Sequence, residues 1–179
     1  MKCLPAALLT LCALSHSGPA LAQTKDALDA AVAETVTEFT KLDPHRAELA
    51  SQAAGMLIFP QVTKGGIALA SAYGEGALNV AGVTVGYYSE ASASLGLTAG
   101  MATHREIILF MTREALDRFL RSKNWSVGAD SGIAVVSKGM VDDYHSYALK
   151  KPILVFIFGQ RGLMADLSLQ GTKINKIVK

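Results

Sequence analysis

A chain of 179 residues that is 50% hydrophobic and 18% charged is long enough for one domain with a real core and too apolar for disorder. Its formal net charge of +2 gives no global pull toward nucleic acid, so no nucleic-acid partner is expected.

Lys2 precedes the apolar run LPAALLTLCAL, and Pro19-Ala20-Leu21-Ala22 follows, the basic, apolar and A-x-A order of a secretory signal. Cleavage is expected after Ala22, dividing the chain into a signal at 1–22, an amphipathic helical region at 23–46 and a domain at 47–179. Pro5 breaks the apolar run, which falls short of the roughly 20 residues that span a bilayer. Lipid anchoring at Cys12 is not expected, because Leu11 stands where a small residue is needed. Both Cys3 and Cys12 leave with the signal, which removes disulfide and thiol chemistry from the mature protein. Loss of Lys2 lowers the net charge from +2 to +1. The expected location is periplasmic or secreted, most simply the periplasm of a Gram-negative bacterium.

Thr24 to Leu42 has Leu28, Val32, Val36 and Phe39 at helical spacing, with Asp26, Asp29, Glu34 and Glu38 making an acidic exposed face. Asp43-Pro44 reads as a cap and first-turn proline opening a second helix through Ala54, with Gly55 as its stop. From Met56 the apolar segments MLIF, IALASAY, ALNV, VTVGYY, ASASLGL and EIILFM, separated by glycines, predict short strands joined by turns or bulges at Gly65-Gly66, Gly74-Glu75-Gly76 and Gly82. Thr112 caps a helix through Arg121 with Leu116, Phe119 and Leu120 turned inward. Asn124-Trp125 marks its exit, Ser126 to Val136 holds two short strands or a strand and loop, and Ser137 to Lys151 is a surface loop. Ile153 to Phe158 is apolar on both parities and predicts a central strand covered on both faces. Gly159 to Gly162 is then a turn, with Leu163 to Leu169 returning antiparallel.

No constellation for catalysis emerges. Gly74-x-Gly76 lacks the spacing of a phosphate loop, and the glycines read as a tight turn. His45, His104 and His145 are scattered without ligand spacing, Asp142, Asp143 and His145 read as solvated loop, and no nucleophile elbow is present, so no enzyme activity, metal or cofactor is expected. Basic residues carry more information: Lys64 beside two glycines, Arg161 in the predicted turn, and Lys173 and Lys176 as a terminal pair. Gathered on one face, each adds about 1 kcal/mol of attraction to an anionic bilayer.

The segments LIFPQVTKGG, AYGEGALNV, VGYYSEASASLGLTAG and FMTREALDRF, followed by FIFGQRGLMADLSLQGTKINKI, resemble successive blocks of the SYLF domain from about Ala47 to Lys179. That family includes bacterial secreted proteins described as lipid-binding and eukaryotic adaptors of membranes and cytoskeleton. The resemblance implies a single α+β domain without enzymatic activity. Eukaryotic members bind phosphoinositide membranes and, in yeast, actin through a basic or amphipathic amino-terminal segment, whereas the helix at that place here is acidic. The expectation is an α+β domain with an antiparallel curved sheet or barrel-like sandwich and peripheral helices. It binds phospholipid or a membrane surface, anionic in character, through Lys64, Arg161, Lys173 and Lys176 and an apolar groove between helix and sheet. The alternative is an envelope scaffold with a protein partner, bound at a sheet edge or the loop around Tyr144 to Lys151.

Overall fold

Residues 23–127, 132–136, 151–162 and 171–179 are described by the computed structural model, with backbone alone at 67–69 and 94–99. The expected signal at 1–22, most of the predicted surface loop with His145, and the predicted return strand at Leu163 to Leu169 lie outside the described residues.

Local chemistry sets the helices. The Thr24 side chain accepts from the Ala27 N–H and opens α1 (Lys25–Leu42), and Asp43 accepts from the His45 N–H to open α2 (Pro44–Gln52). Gly55 does not stop α2, which ends at Gln52 with Ala53 as cap; it begins the first strand instead. Thr112 caps α3 (Arg113–Arg121) through the Ala115 N–H at 3.2 Å. Ala115, Leu116 and Phe119 form its buried stripe, while Leu120, expected inward, falls off that stripe and is 48% exposed.

The glycine-separated short strands are in fact one long hairpin, β1 (Gly55–Val80) and β2 (Val83–Phe110). Its turn is Ala81-Gly82, with φ of 51° and 79°, the pair of positive angles that a two-residue hairpin turn needs. Gly74 and Gly76, expected in a turn, lie within β1. A Cβ at Gly76 would stand 2.2 Å from the Ile58 carbonyl oxygen, and one at Gly74 would stand 3.0 Å from that of Gln61. The later half of β1 therefore lies against its own earlier half, and only bare backbone fits there. The hairpin is curled, with register shifts between Phe59 and Val62, Ile67 and Leu69, and Leu78 and Asn79.

Among the described residues the sheet has six strands, in the order β3 (Trp125–Ser126), β6 (Lys173–Ile177), β2, β5 (Ile153–Gly162), β4 (Ile133–Val136), with β1 on the other edge of β2. The β4–β5 pair is parallel and the other pairs antiparallel, giving an α+β fold with three helices and a curled half-barrel sheet in a single body. Ile153 to Phe158 are all buried between β2 and β4, as the unalternated run predicts. Gly159 to Gly162 is not a turn: the strand continues to Gly162, opposite Ala102, and Gly159 at φ 62° forms a bulge.

Each face of the sheet has its own core. Outside the curl, α1 and α2 bury Leu28, Val32, Phe39 and Leu49 against Ile107, Leu109, Leu154 and Phe156. Inside, α3 and Trp125 pack on Tyr88, Ile108, Phe110 and Val155.

Candidate functional site

The inward face of β2 also carries three ionisable side chains. Strand alternation puts His104 and Glu106 on that face, together with Glu90, which precedes His104 by 14 residues. On a straight strand that separation spans about 45 Å at ~3.3 Å per residue. Here one ligand-capable atom from each of the three lies within 4.8 Å of the others. Cross-strand register explains the meeting: Glu90 pairs with Gly74 and His104 with Val62, and a Cβ on Gly74 would be 3.0 Å from Val62 Cγ2. The Gly74–Glu90 pair is thus stacked on the Val62–His104 pair, and the missing side chain of Gly74 lets the two come this close.

Both neighbours of β2 are bulged at this level. β1 shifts register between Phe59 and Val62, and the β2–β5 register shifts between Thr103 and Arg105, so His104 sits at an irregularity on each edge. Bulges aim side chains and open ladders near working sites. A small cavity of about 70 Å³ lies there, bordered by Pro60, Thr103, His104, Gly159 and Arg161. That is room for about two waters at ~30 Å³ each.

The three side chains are 3%, 6% and 0% exposed for Glu90, His104 and Glu106. Glu90 Oε2, both ring nitrogens of His104 and both carboxylate oxygens of Glu106 have no hydrogen-bond partner among the described residues. His104 Nε2 stands 3.9 Å from Glu106 Oε2, too far for a hydrogen bond but close enough for the charges to interact. Burial, and then the Glu106 carboxylate, push Glu90 well above the usual carboxylate range. Burial also raises Glu106, with His104 acting in the opposite direction. A buried polar group left without a partner costs about 1–3 kcal/mol, so a concentration of them calls for a reason. The set offers lone pairs and protons, and it is the donor type that holds a cation.

The basic residues singled out from sequence are dispersed. Lys64 does not belong to an exposed rim: it is buried at 5% exposure, across from Ala102. Arg161 is exposed on β5 opposite Thr103, whose side chain projects from the other face of β2 than that of Ala102. Lys173 and Lys176 are both exposed on β6, but an odd spacing turns them to opposite faces.

Outside the curl, Arg105 binds the acidic side of α1, with Nη1 at 2.8 Å from Glu38 Oε2 and Nη2 at 3.9 Å from Glu34 Oε1. Part of the acidic helix face is therefore a docking face. A polar groove of about 750 Å³ runs beside this contact past Glu34, Gln61, Tyr73 and Glu75. A second groove, of about 480 Å³, lies between the helices and the hairpin tip, lined by Ala33, Val36, Ala50, Ala53 and Met56. Val83 and Val85, just beyond the tip, are 63% and 48% exposed.

Residues 91–177, from the middle of β2 through β6, match the family model described as Ysc84, Las17-binding protein actin regulator. No curated protein matches the chain. The match takes in His104 and Glu106, while Glu90, β1 and the first two helices precede it. The family is generally non-catalytic. A Ysc84/SYLF domain thus occupies residues 91–177, in agreement with the part of the resemblance carried by FMTREALDRF and the carboxy-terminal signature.

Proposed function

We propose that the protein is a non-catalytic lipid- or membrane-surface-binding protein, acting in the periplasm after loss of residues 1–22. The observation that carries this reading is the groove of about 480 Å³ between α1, α2 and the hairpin tip. Its small apolar side chains suit an acyl chain, and the exposed Val83 and Val85 beside it are the kind of surface that enters a bilayer interface. The Ysc84/SYLF match at 91–177 supports it, since that family is associated with lipid and actin binding. Exposed Arg161 and Lys173, paired with Thr103 and Ala91 on one face of β2, supply attraction to anionic headgroups, while Lys176 is on the other face. Lys64, being buried, contributes only if the sheet opens around it.

Flotation of the purified protein with phosphatidylcholine vesicles, alone and with phosphatidylglycerol or cardiolipin, tests the reading. Binding is expected with anionic lipid, weakened by salt, and reduced severalfold in Val83→Asp and in the Arg161→Glu/Lys173→Glu pair. If no composition carries the protein upward, the lipid reading fails and an envelope protein partner takes its place.

A further inference from the structure

We propose that Glu90, His104 and Glu106 bind one divalent first-row metal ion inside the curl of the sheet, with zinc the best match to the donors. The site is separate from the groove between the helices and the hairpin tip. One imidazole nitrogen and two carboxylates form a mixed nitrogen and oxygen set, which suits zinc and, with more oxygen character, manganese. Zinc bonds of about 2.0–2.2 Å put tetrahedral neighbours roughly 3.3–3.5 Å apart. The 3.9 Å between His104 Nε2 and Glu106 Oε2 needs only a small contraction, and the outer limit of 4.8 Å for the whole set stays within rotamer adjustment.

Three further observations point the same way. Donor atoms of His104 and Glu106 that would face the ion have no hydrogen-bond partner among the described residues, so coordination would satisfy groups the fold otherwise leaves unpaired. The dication balances two carboxylates in an interior where either charge alone is costly. The backbone keeps the set together: Gly74 opposite Glu90 lets that pair press against Val62 opposite His104, and the curl that joins residues 14 apart would be held shut by the ion.

The test begins with purified protein stripped by a chelator and titrated with zinc, manganese and cobalt by calorimetry. One equivalent of zinc per chain is expected, with a melting temperature that rises with zinc and falls back when the chelator is added. Glu106→Gln and His104→Gln should each weaken zinc binding by about tenfold or more, while His45→Ala, an exposed histidine beside Glu48, leaves it unchanged. Nitrogen NMR of the wild-type imidazoles removes any dependence on whether the variants fold: the His104 ring signals should move on zinc addition and those of His45 should not. Absence of stoichiometric binding for all three ions overturns the proposal. So does binding that leaves the His104 signals in place, which would put the ion on the surface.

Discussion

The two faces of one sheet solve the same burial problem in opposite ways. Glu106 and Ile107 are consecutive on β2, yet Ile107 enters a largely apolar outer core, while Glu106 enters an interior shared with His104 and Glu90. Outside, Phe39 of α1 meets Phe156 at 5.0 Å edge-on and Phe158 at 5.6 Å, and the Arg46 guanidinium lies 5.5 Å from the Phe39 and Phe156 rings. Inside, Phe110, Phe119 and Trp125 form an equally close aromatic cluster, with ring distances of 4.9 to 6.2 Å, and the ionisable groups occupy another part of the same face. The outer core is apolar apart from Arg46, whose Nε and Nη1 are buried without a hydrogen-bond partner among the described residues but lie against aromatic rings. Part of the inner one holds groups that cost stability, and such local conflicts concentrate where a protein does something.

Breaking the outer core should have the largest effect. Phe39→Ala removes a ring with no exposure from between α1 and β5 and is expected to destabilise by about 3–5 kcal/mol, read from urea unfolding. A cost under about 1 kcal/mol would mean that α1 unfolds separately from the sheet.

Next is the curl itself, which brings the inner groups together. The methyl of Gly76→Ala would meet the Ile58 carbonyl at 2.2 Å, a backbone atom that cannot swing aside, so a loss of about 1–3 kcal/mol is expected together with weaker zinc binding. Gly82→Ala is the comparison: its φ of 79° costs about 1–2 kcal/mol, but nothing lies within 4 Å of the new methyl, and zinc binding should be untouched. Equal effects of both substitutions on zinc binding would show that the curl does not depend on bare backbone at Gly76.

What was legible in the sequence follows from range. Thr24, Asp43 and Thr112 cap helices through bonds to residues two or three positions away, so those starts could be read directly. Ile153 to Phe158 announced a doubly covered strand by composition alone. Gly74 and Gly76 misled because a glycine in a turn and a glycine pressed against a distant backbone look the same in one dimension. Lys64 beside two glycines suggested a turn or bulge among the basic lipid contacts, whereas the strand runs through them and turns it inward. The Glu90, His104 and Glu106 group depends on a strand bent through 14 residues, which no spacing rule contains. One local sign was available: His104 and Glu106 alternate at strand period directly before the buried run Ile107 to Phe110, and so share its inward parity with Ile108 and Phe110.

The smallest effect separates the two ends of the inner face by pH. Tyr88 packs its ring 5.0 Å from that of Phe119, and burial raises its phenol above the ordinary value of 10.0. Below pH 10 the phenol is protonated in both folded and unfolded chains and contributes no slope. As pH rises from 10 toward the folded value, the unfolded chain releases a proton that the folded one retains, so stability falls. Tyr88→Phe should leave stability at pH 8 within about 1 kcal/mol of wild type and flatten part of the decline above pH 10. Urea unfolding at both pH values reads the difference. The same substitution should not alter zinc affinity, because the aromatic end of the inner face supports the fold while the ionisable end holds the ion. An unchanged alkaline slope in Tyr88→Phe would mean that the phenol reaches water despite its packing, and a loss of zinc affinity would mean that the two ends of the face are mechanically one.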